Sequence, residues 1–473
     1  MRVLCLTLAC AITACAADWP QFRGPNGSAV SEDSKLPTEW AKDKNVAWKK
    51  ALPGYGWSCP VVAGDKVFVT TAVSDKQRKP SGGMGGGGFG GGGGGKGGFG
   101  RQEPPDDVYK FQVICLNAAD GKILWTSTAR ESKPTIPTQG SNTYATETPV
   151  TDGERVYAYF GMHGLYAFDF AGKEVWKLDL GSYPMAMGFG TGSSPALADG
   201  KVIVQCDNER ESFLVAVDTK TGKEAWRTKR TERTAYSSPL VWKNKMRTEI
   251  VCMGSQKVRS YAVATGKELW ELGGMSGQPK ATPVATDDLL IVGTGGGPGG
   301  MGGGGFGGPK GGPGGAPGGG KGGFGGGNKP MFAVKPGASG DITLKDGAKS
   351  SDAIAWTLPQ AGPQTPSPLI YQGHVYVLDE RGGSLTCYDA KTGKQAYKER
   401  VGGRGFTSSP WAYDGKIFCL DDSGTTHVVE AGPTFKAVGK NELEGMCWSS
   451  PAVGNGSVFL RTVDQLYCLR KAD

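Results

Sequence analysis

The sequence predicts an all-β protein, an eight-bladed β-propeller of four-stranded antiparallel blades, its ring closed by the N-terminal strand joining the last blade. Three observations predict it. A small polar residue, a proline and a short apolar run recur at Pro60, Pro149, Pro195, Pro239, Pro283, Pro368, Pro410 and Pro451, at spacings of 89, 46, 44, 44, 85, 42 and 41 residues. Units of about 40–45 residues with four strands each are propeller blades. A second phrase, "DTKTGKEAW" at Asp218–Trp226, is rewritten at Asp389–Tyr397 and more loosely in lines ending at Trp125, Trp176, Trp270 and Trp356. Finally, the last unit holds three strand-like runs up to Asp473, and "NVAWKKAL", carrying Trp48, supplies the fourth.

Taken in order, the chain opens with Arg2, the apolar run "VLCLTLACAITA" and "ACAA" ahead of Asp18, the layout of an export signal. Residues 1–17 are therefore expected to be a signal peptide and 18–473 a single propeller domain. The same letters fit a second route, because "ITAC" resembles a bacterial lipoprotein box whose processing leaves Cys15 lipidated. The apolar run is too short to span a bilayer, and no later run approaches ~18 apolar residues. The expectation is an exported monomer without a transmembrane segment, in the periplasm or cell envelope, free or lipid-anchored.

Within each unit, alternating runs such as "FLVAV" and "VYAYF" have strand period. The T-G-K centre is turn chemistry: Asp or Asn folds back on the turn's amides and Gly takes the positive φ that other residues resist. The following Trp ends the outer strand, where it wedges a blade against its neighbour. Two units depart, with Tyr397 in place of Trp in the sixth blade and "TFKAVGKNEL" lacking it in the seventh. The doubled spacings come from Gly-rich inserts at 81–101 and 295–327, which hold 38 of the 79 glycines and share "MGGGGFGG" and "GGGKGGFG". Both fall between the second and third strands of their blades, the first and the fifth. They are expected to be disordered arms on opposite sides of one axial mouth. Neither has the Ser or Thr after Lys, nor the helix, that a phosphate-binding loop requires.

That mouth is expected to be lined by residues just ahead of each unit-opening Pro. The binding-face candidates are Tyr55, Trp57, Tyr144, Phe189, Tyr236, Phe406 and Trp448, an aromatic rim with few charges.

The "A-x-D-x-x-T-G-K-x-x-W" unit, best preserved at Ala216–Trp226, resembles the pyrroloquinoline-quinone (PQQ)-like propeller repeat. Quinoprotein alcohol dehydrogenases share that repeat with the BamB-type outer-membrane assembly lipoprotein. The opening "DWPQFRGPNG" with "NVAWK" after it resembles the leader of exported PQQ-like repeat proteins of planctomycete type. The resemblance covers nearly all of 18–473 except the Gly inserts, and it implies the fold far more specifically than an activity.

Two functions follow. The leading one is an exported, non-catalytic scaffold binding a protein or cell-envelope partner through its axial loop face, with no catalytic residues, metal or cofactor. The alternative implied by the resemblance is a PQQ-dependent alcohol or sugar dehydrogenase holding PQQ with Ca²⁺. Asn142, Glu147, Arg233, Arg404 and Trp448 would then be its cofactor-binding candidates. Against the alternative, the adjacent-cysteine pair that many such enzymes place over the quinone is absent, and no Asp stands directly before a unit-opening Pro.

Other classes fare worse. The formal charge of +8 is spread thinly, without the Lys/Arg blocks of a nucleic-acid binder. Cys59, Cys115, Cys206, Cys252, Cys387, Cys419, Cys447 and Cys468 include no C-x-x-C, and their place in β-like runs points to buried free thiols. His163, His374 and His427 fall in separate blades without metal-ligand spacing.

Overall fold

Each of the eight unit-opening prolines stands immediately before the innermost strand of a sheet, where its missing N–H takes nothing from the ladder. The innermost strands, in a computed structural model describing residues 18–80, 103–295 and 329–472, are Val61–Ala63, Val150–Thr151, Ala196–Ala198, Leu240–Lys243, Val284–Ala285, Leu369–Tyr371, Trp411–Tyr413 and Ala452–Gly454. They open blades 1 to 8. Residues 1–17, most of both Gly-rich inserts and Asp473 lie outside the described residues, and with them the signal-peptide, Cys15 and arm expectations. Among the described residues the fold is all-β, with eight sheets each built on four antiparallel strands and no α-helix, only three short 3₁₀ turns. Among the described residues no helix is long and apolar enough to cross a membrane.

The ring closes as the sequence predicts. Val46–Ala51 pairs antiparallel with Gln465–Arg470 and completes blade 8 as its outermost strand. This removes the sheet edge that Gln465–Arg470 would otherwise expose.

The recurring phrase is a blade-to-blade socket. In blade 3, Asp218 Oδ1 accepts the Thr221 N–H at 2.8 Å and Gly222 adopts φ 69°. A methyl group on Gly222 would fall 2.6 Å from the Trp176 ring of blade 2, so glycine is required by space as well as by conformation. The Trp176 Nε1–H donates to Thr219 O at 2.9 Å. The same seating joins Trp48 to Gly121, Trp125 to Gly172, Trp226 to Gly266 and Trp356 to Gly393. Each indole N–H meets a carbonyl of the neighbouring turn, in order Ala118, Phe170, Val263 and Ala390. One of the departures read from the sequence changes the contact: Tyr397 meets Phe435 of blade 7 edge-on, with centroids 5.5 Å apart. In blade 5 the turn becomes a longer excursion over 335–353, whose Gly340–Asp341 adds in parallel to Glu268–Leu272. That makes the blade 4 sheet five-stranded, and Trp270 instead donates to the buried Glu249 at 2.9 Å.

The leader "DWPQFRGPNG" crosses the face opposite the mouth. Trp19 pairs with Val62 of blade 1, and the Thr151 N–H of blade 2 bonds Pro20 O. Arg23, at φ 64°, turns its buried guanidinium onto the carbonyls of Gly27 (3.1 Å) and Pro368 (2.6 Å). The chain then pairs with Ala412 of blade 7 and stacks Trp40 on Phe418 before entering blade 8. All eight described cysteines are free, and all but the half-buried Cys206 are buried.

Candidate functional site

Proline restricts the residue before it to extended backbone, and in every blade that residue reaches toward the axis. The eight form a closed hydrogen-bonded ring. Each backbone N–H donates to the side chain of its counterpart in the next blade: Cys59 to Thr148, Thr148 to Ser194 and Ser194 to Ser238, all at 2.9 Å. The ring continues from Ser238 to Thr282 (3.2 Å), Thr282 to Ser367 (2.9 Å), Ser367 to Ser409 (3.0 Å) and Ser409 to Ser450 (2.9 Å). Ser450 returns to Cys59 Sγ at 3.2 Å. These amides face the axis without sheet partners, so the ring satisfies them and ties blade 8 to blade 1.

All eight ring residues also line an axial cavity of about 490 Å³, which extends from the ring to the mouth, with Phe22 of the leader reaching it from the other side. Two arginines lie buried close to the ring, and neither has a carboxylate partner among the described residues. Arg23 is satisfied by carbonyls. Arg461 bonds Ser58 O (3.1 Å) and Thr70 O (2.8 Å) through Nη1, while its Nε and Nη2 have no partner. Burial pulls both guanidinium pKa values down to about 9.

Of the predicted residues, Trp57, Asn142, Phe189, Tyr236, Arg404 and Trp448 line this cavity. Trp57 and Trp448 stack with centroids 5.2 Å apart, and the Trp57 Nε1–H donates to Ser141 O. The Asn142 amide holds Phe189 O (2.9 Å) and Thr191 O (3.2 Å), binding one mouth loop to the next. The others lie elsewhere. Tyr55 bridges to Ala72 along blade 1. Tyr144 and Phe406 turn back into the blades, Tyr144 edge-on to Tyr109 with its hydroxyl on Ile136 O, and Phe406 fully buried beside His427. For a ring next to an apolar gap, burial outweighs facing the mouth. Arg233 is largely exposed and pairs with Glu209 at 2.5 Å. Glu147 is buried between two lining residues, Thr146 and Thr148; its Oε1 has no partner, and burial pushes its carboxyl up to about 7.

The sequence reading missed the charged wall. Glu380, Arg381 and Asp422 enter from loops between second and third strands, Lys280 from the loop leading into blade 5, and Arg400 from the end of the outermost strand of blade 6. A search of the second-to-third loops for charge would have found the first three, since those loops belong to the same face. Burial raises the Asp422 carboxyl to about 6, while the Thr407 N–H donates to it at 2.9 Å.

The five residues proposed for PQQ with Ca²⁺ are not assembled into one site. Arg233 points away, Glu147 is enclosed, and the Asn142 Oδ1 accepts from Thr143 N and Thr146 Oγ1. Among the described residues no three His, Cys, Asp or Glu side chains converge as metal ligands. The residues present do not fit that group.

The family model described as outer membrane protein assembly factor BamB matches residues 108–295 and 340–433. Among solved structures, BamB from Moraxella catarrhalis is similar over 78% of this chain and 95% of its own, at 12% identity and a TM-score of 0.51. The quinohemoprotein alcohol dehydrogenase from Comamonas testosteroni is similar over 98% of this chain and 82% of its own, at 11% identity and a TM-score of 0.58. A europium-containing methanol dehydrogenase covers 96% of this chain and 98% of its own, at 11% identity and a TM-score of 0.50. At these identities the likeness is one of fold. No curated protein matches the sequence.

Proposed function

Because the chain belongs to the family of the outer membrane protein assembly factor BamB, we propose that it is an exported, non-catalytic propeller that holds a protein or cell-envelope partner at its axial loop face. One observation supports the reading: the axial pit has two unlike walls, one aromatic and one cationic. Trp57, Phe189 and Tyr236 line one side, from the loops leading into blades 1, 3 and 4. Lys280, Arg381 and Arg404 line the other from loops around blades 5 to 7, with Arg400 at the end of the outermost strand of blade 6. Such a surface supplies shape, apolar area and charge, which is what recognition requires. The family description names an assembly factor, and this supports a protein as the partner class.

The test places a photo-crosslinking residue at Met187, exposed on the rim beside Phe189, and in a second protein at Lys243, which ends an innermost strand on the leader's face. A discrete envelope adduct from position 187 and none from 243 is expected. The reading is overturned if purified protein with added PQQ and Ca²⁺ shows saturable quinone absorbance and dye-linked alcohol or sugar oxidation.

A further inference from the structure

The two walls of the pit differ in charge as well as in shape, and that difference narrows the partner. On the wall from blades 5 to 7, four cations face two acids: Lys280, Arg381, Arg400 and Arg404 against Glu380 and Asp422. Asp422 is occupied by the Thr407 amide. On the rest of the surface some cations pair with carboxylates, as Arg233 does with Glu209 and Lys79 with Asp464, and others, such as Lys243 and Lys398, stand apart from one another. Among the described residues, none of Lys280, Arg400 and Arg404 has a carboxylate partner, and Lys280 meets only Thr365 Oγ1 at 3.4 Å. The buried, acid-free guanidiniums of Arg23 and Arg461 near the ring add to the same positive field, which low-dielectric walls focus into a cleft.

The opposite wall carries no charge and does not stop at the mouth. From the Trp57–Trp448 stack it runs past Phe189 to Met187, which is 55% exposed and held at φ 55°. A non-glycine residue in that conformation is strained, and here the strain sets a large apolar side chain outward on the rim. A small anion would be held wholly inside the pit and would leave Met187 without a partner. A chain that enters the pit and leaves over the rim covers both.

Resting on the partner-binding reading above, we propose that the pit takes an acidic peptide segment of the partner protein. Its carboxylates lie against Lys280, Arg400 and Arg404, and its apolar side chains lie along the Trp57–Phe189 wall and Met187.

The experiment uses the full exported chain and a labelled hexapeptide alternating phenylalanine and glutamate, with the phenylalanine–lysine counterpart as control, read by anisotropy. The glutamate peptide is expected to bind saturably and at least about tenfold more tightly than the lysine peptide, with an affinity that falls as salt rises. R400E/R404E, at two exposed positions, should keep its melting temperature, bind the glutamate peptide at least about tenfold more weakly and gain affinity for the lysine peptide. M187S should weaken the glutamate peptide a few-fold. Equal binding of both peptides, or an unchanged affinity in R400E/R404E, overturns the proposal. So does displacement of the peptide by tricarballylate at equal concentration, which would mark a small-anion pocket. An adduct at Met187 that persists in R400E/R404E removes the acidic class but leaves the partner reading standing, whereas quinone turnover removes the partner reading itself.

Discussion

Replacing Gly222 with alanine tests the socket that repeats around the ring. Gly222 sits at φ 69°, and an alanine methyl there would lie 2.6 Å from Trp176. Gly415, at φ 68° in another turn, has nothing within 4 Å of the same position, so it isolates the backbone effect. Left-handed strain alone should cost Gly415→Ala about 1–2 kcal/mol. Gly222→Ala incurs that strain and also unseats the indole. Loss of the Trp176 Nε1–H bond to Thr219 O is worth about 1 kcal/mol. Re-exposing about 80 Å² of a Trp surface of ~200 Å² at ~25 cal/mol per Å² adds roughly 2 kcal/mol. The predicted loss is therefore about 4–5 kcal/mol against about 1–2 for the control. In a double-mutant cycle with Trp176→Ala, the second substitution should find the indole already gone, giving a coupling of about 3 kcal/mol. Urea unfolding followed by far-ultraviolet circular dichroism measures all four proteins, and unchanged slopes allow the midpoints to be compared. Equal losses at Gly222 and Gly415, or a coupling near zero, would refute the socket.

The buried acid should tie stability to pH. Glu147 keeps its proton up to about pH 7 when folded, whereas unfolded it releases it near 4.5, so native stability falls as pH rises through that window and stays lower above it. Over the whole window the loss is about 3 kcal/mol, and E147Q should remove it; parallel stability–pH profiles for the two proteins would contradict the assignment. For the axial ring, Thr148→Val removes the acceptor of the Cys59 N–H in a buried site and should cost about 1–3 kcal/mol, while Cys59→Ser, which keeps an acceptor for Ser450, should change stability by less than about 0.5 kcal/mol. Chemical unfolding reads both, and a tolerated valine would show that water serves the amide as well.

The periodic parts of this molecule were legible because their physics is local. Strand alternation, the Asp-capped turn at Asp218 and the positive φ of Gly222 depend on a few neighbouring residues, and the spacing of the prolines counts the blades directly. The ring of Cys59, Thr148, Ser194 and their counterparts left an equally regular trace, the small polar residue before each proline. Its role was hidden because it appears only when eight residues scattered from 59 to 450 meet at one axis. The leader was hidden for a related reason: the carbonyls that receive Arg23 come from Ser367 and Pro368, more than three hundred residues away. Rim side chains were the least legible. Tyr144 and Phe406 turn inward because apolar gaps lie behind their loops, and Arg233 turns outward because Glu209 stands beside it. Neither neighbour can be read from the distance to a proline.

A ring of equal units gains nothing in stability from unlike walls, since each blade buries its strands against two neighbours in the same way. The departures from the repeat are therefore the informative positions. Two residues before the blade-opening proline, five blades place serine, at Ser58, Ser193, Ser237, Ser408 and Ser449, and two others place Ala281 and Pro366. Blade 2 alone places an acid there, Glu147, and buries it with an oxygen unpartnered, an arrangement that weakens the fold at neutral pH. It lies behind the threonines of the neutral wall, across the pit from Lys280, Arg400 and Arg404, which have no carboxylate partner among the described residues. Packing accounts for neither feature. Both sit around one cavity where all eight blades converge, so on the proposed reading the asymmetry serves what the pit holds and not what holds the ring.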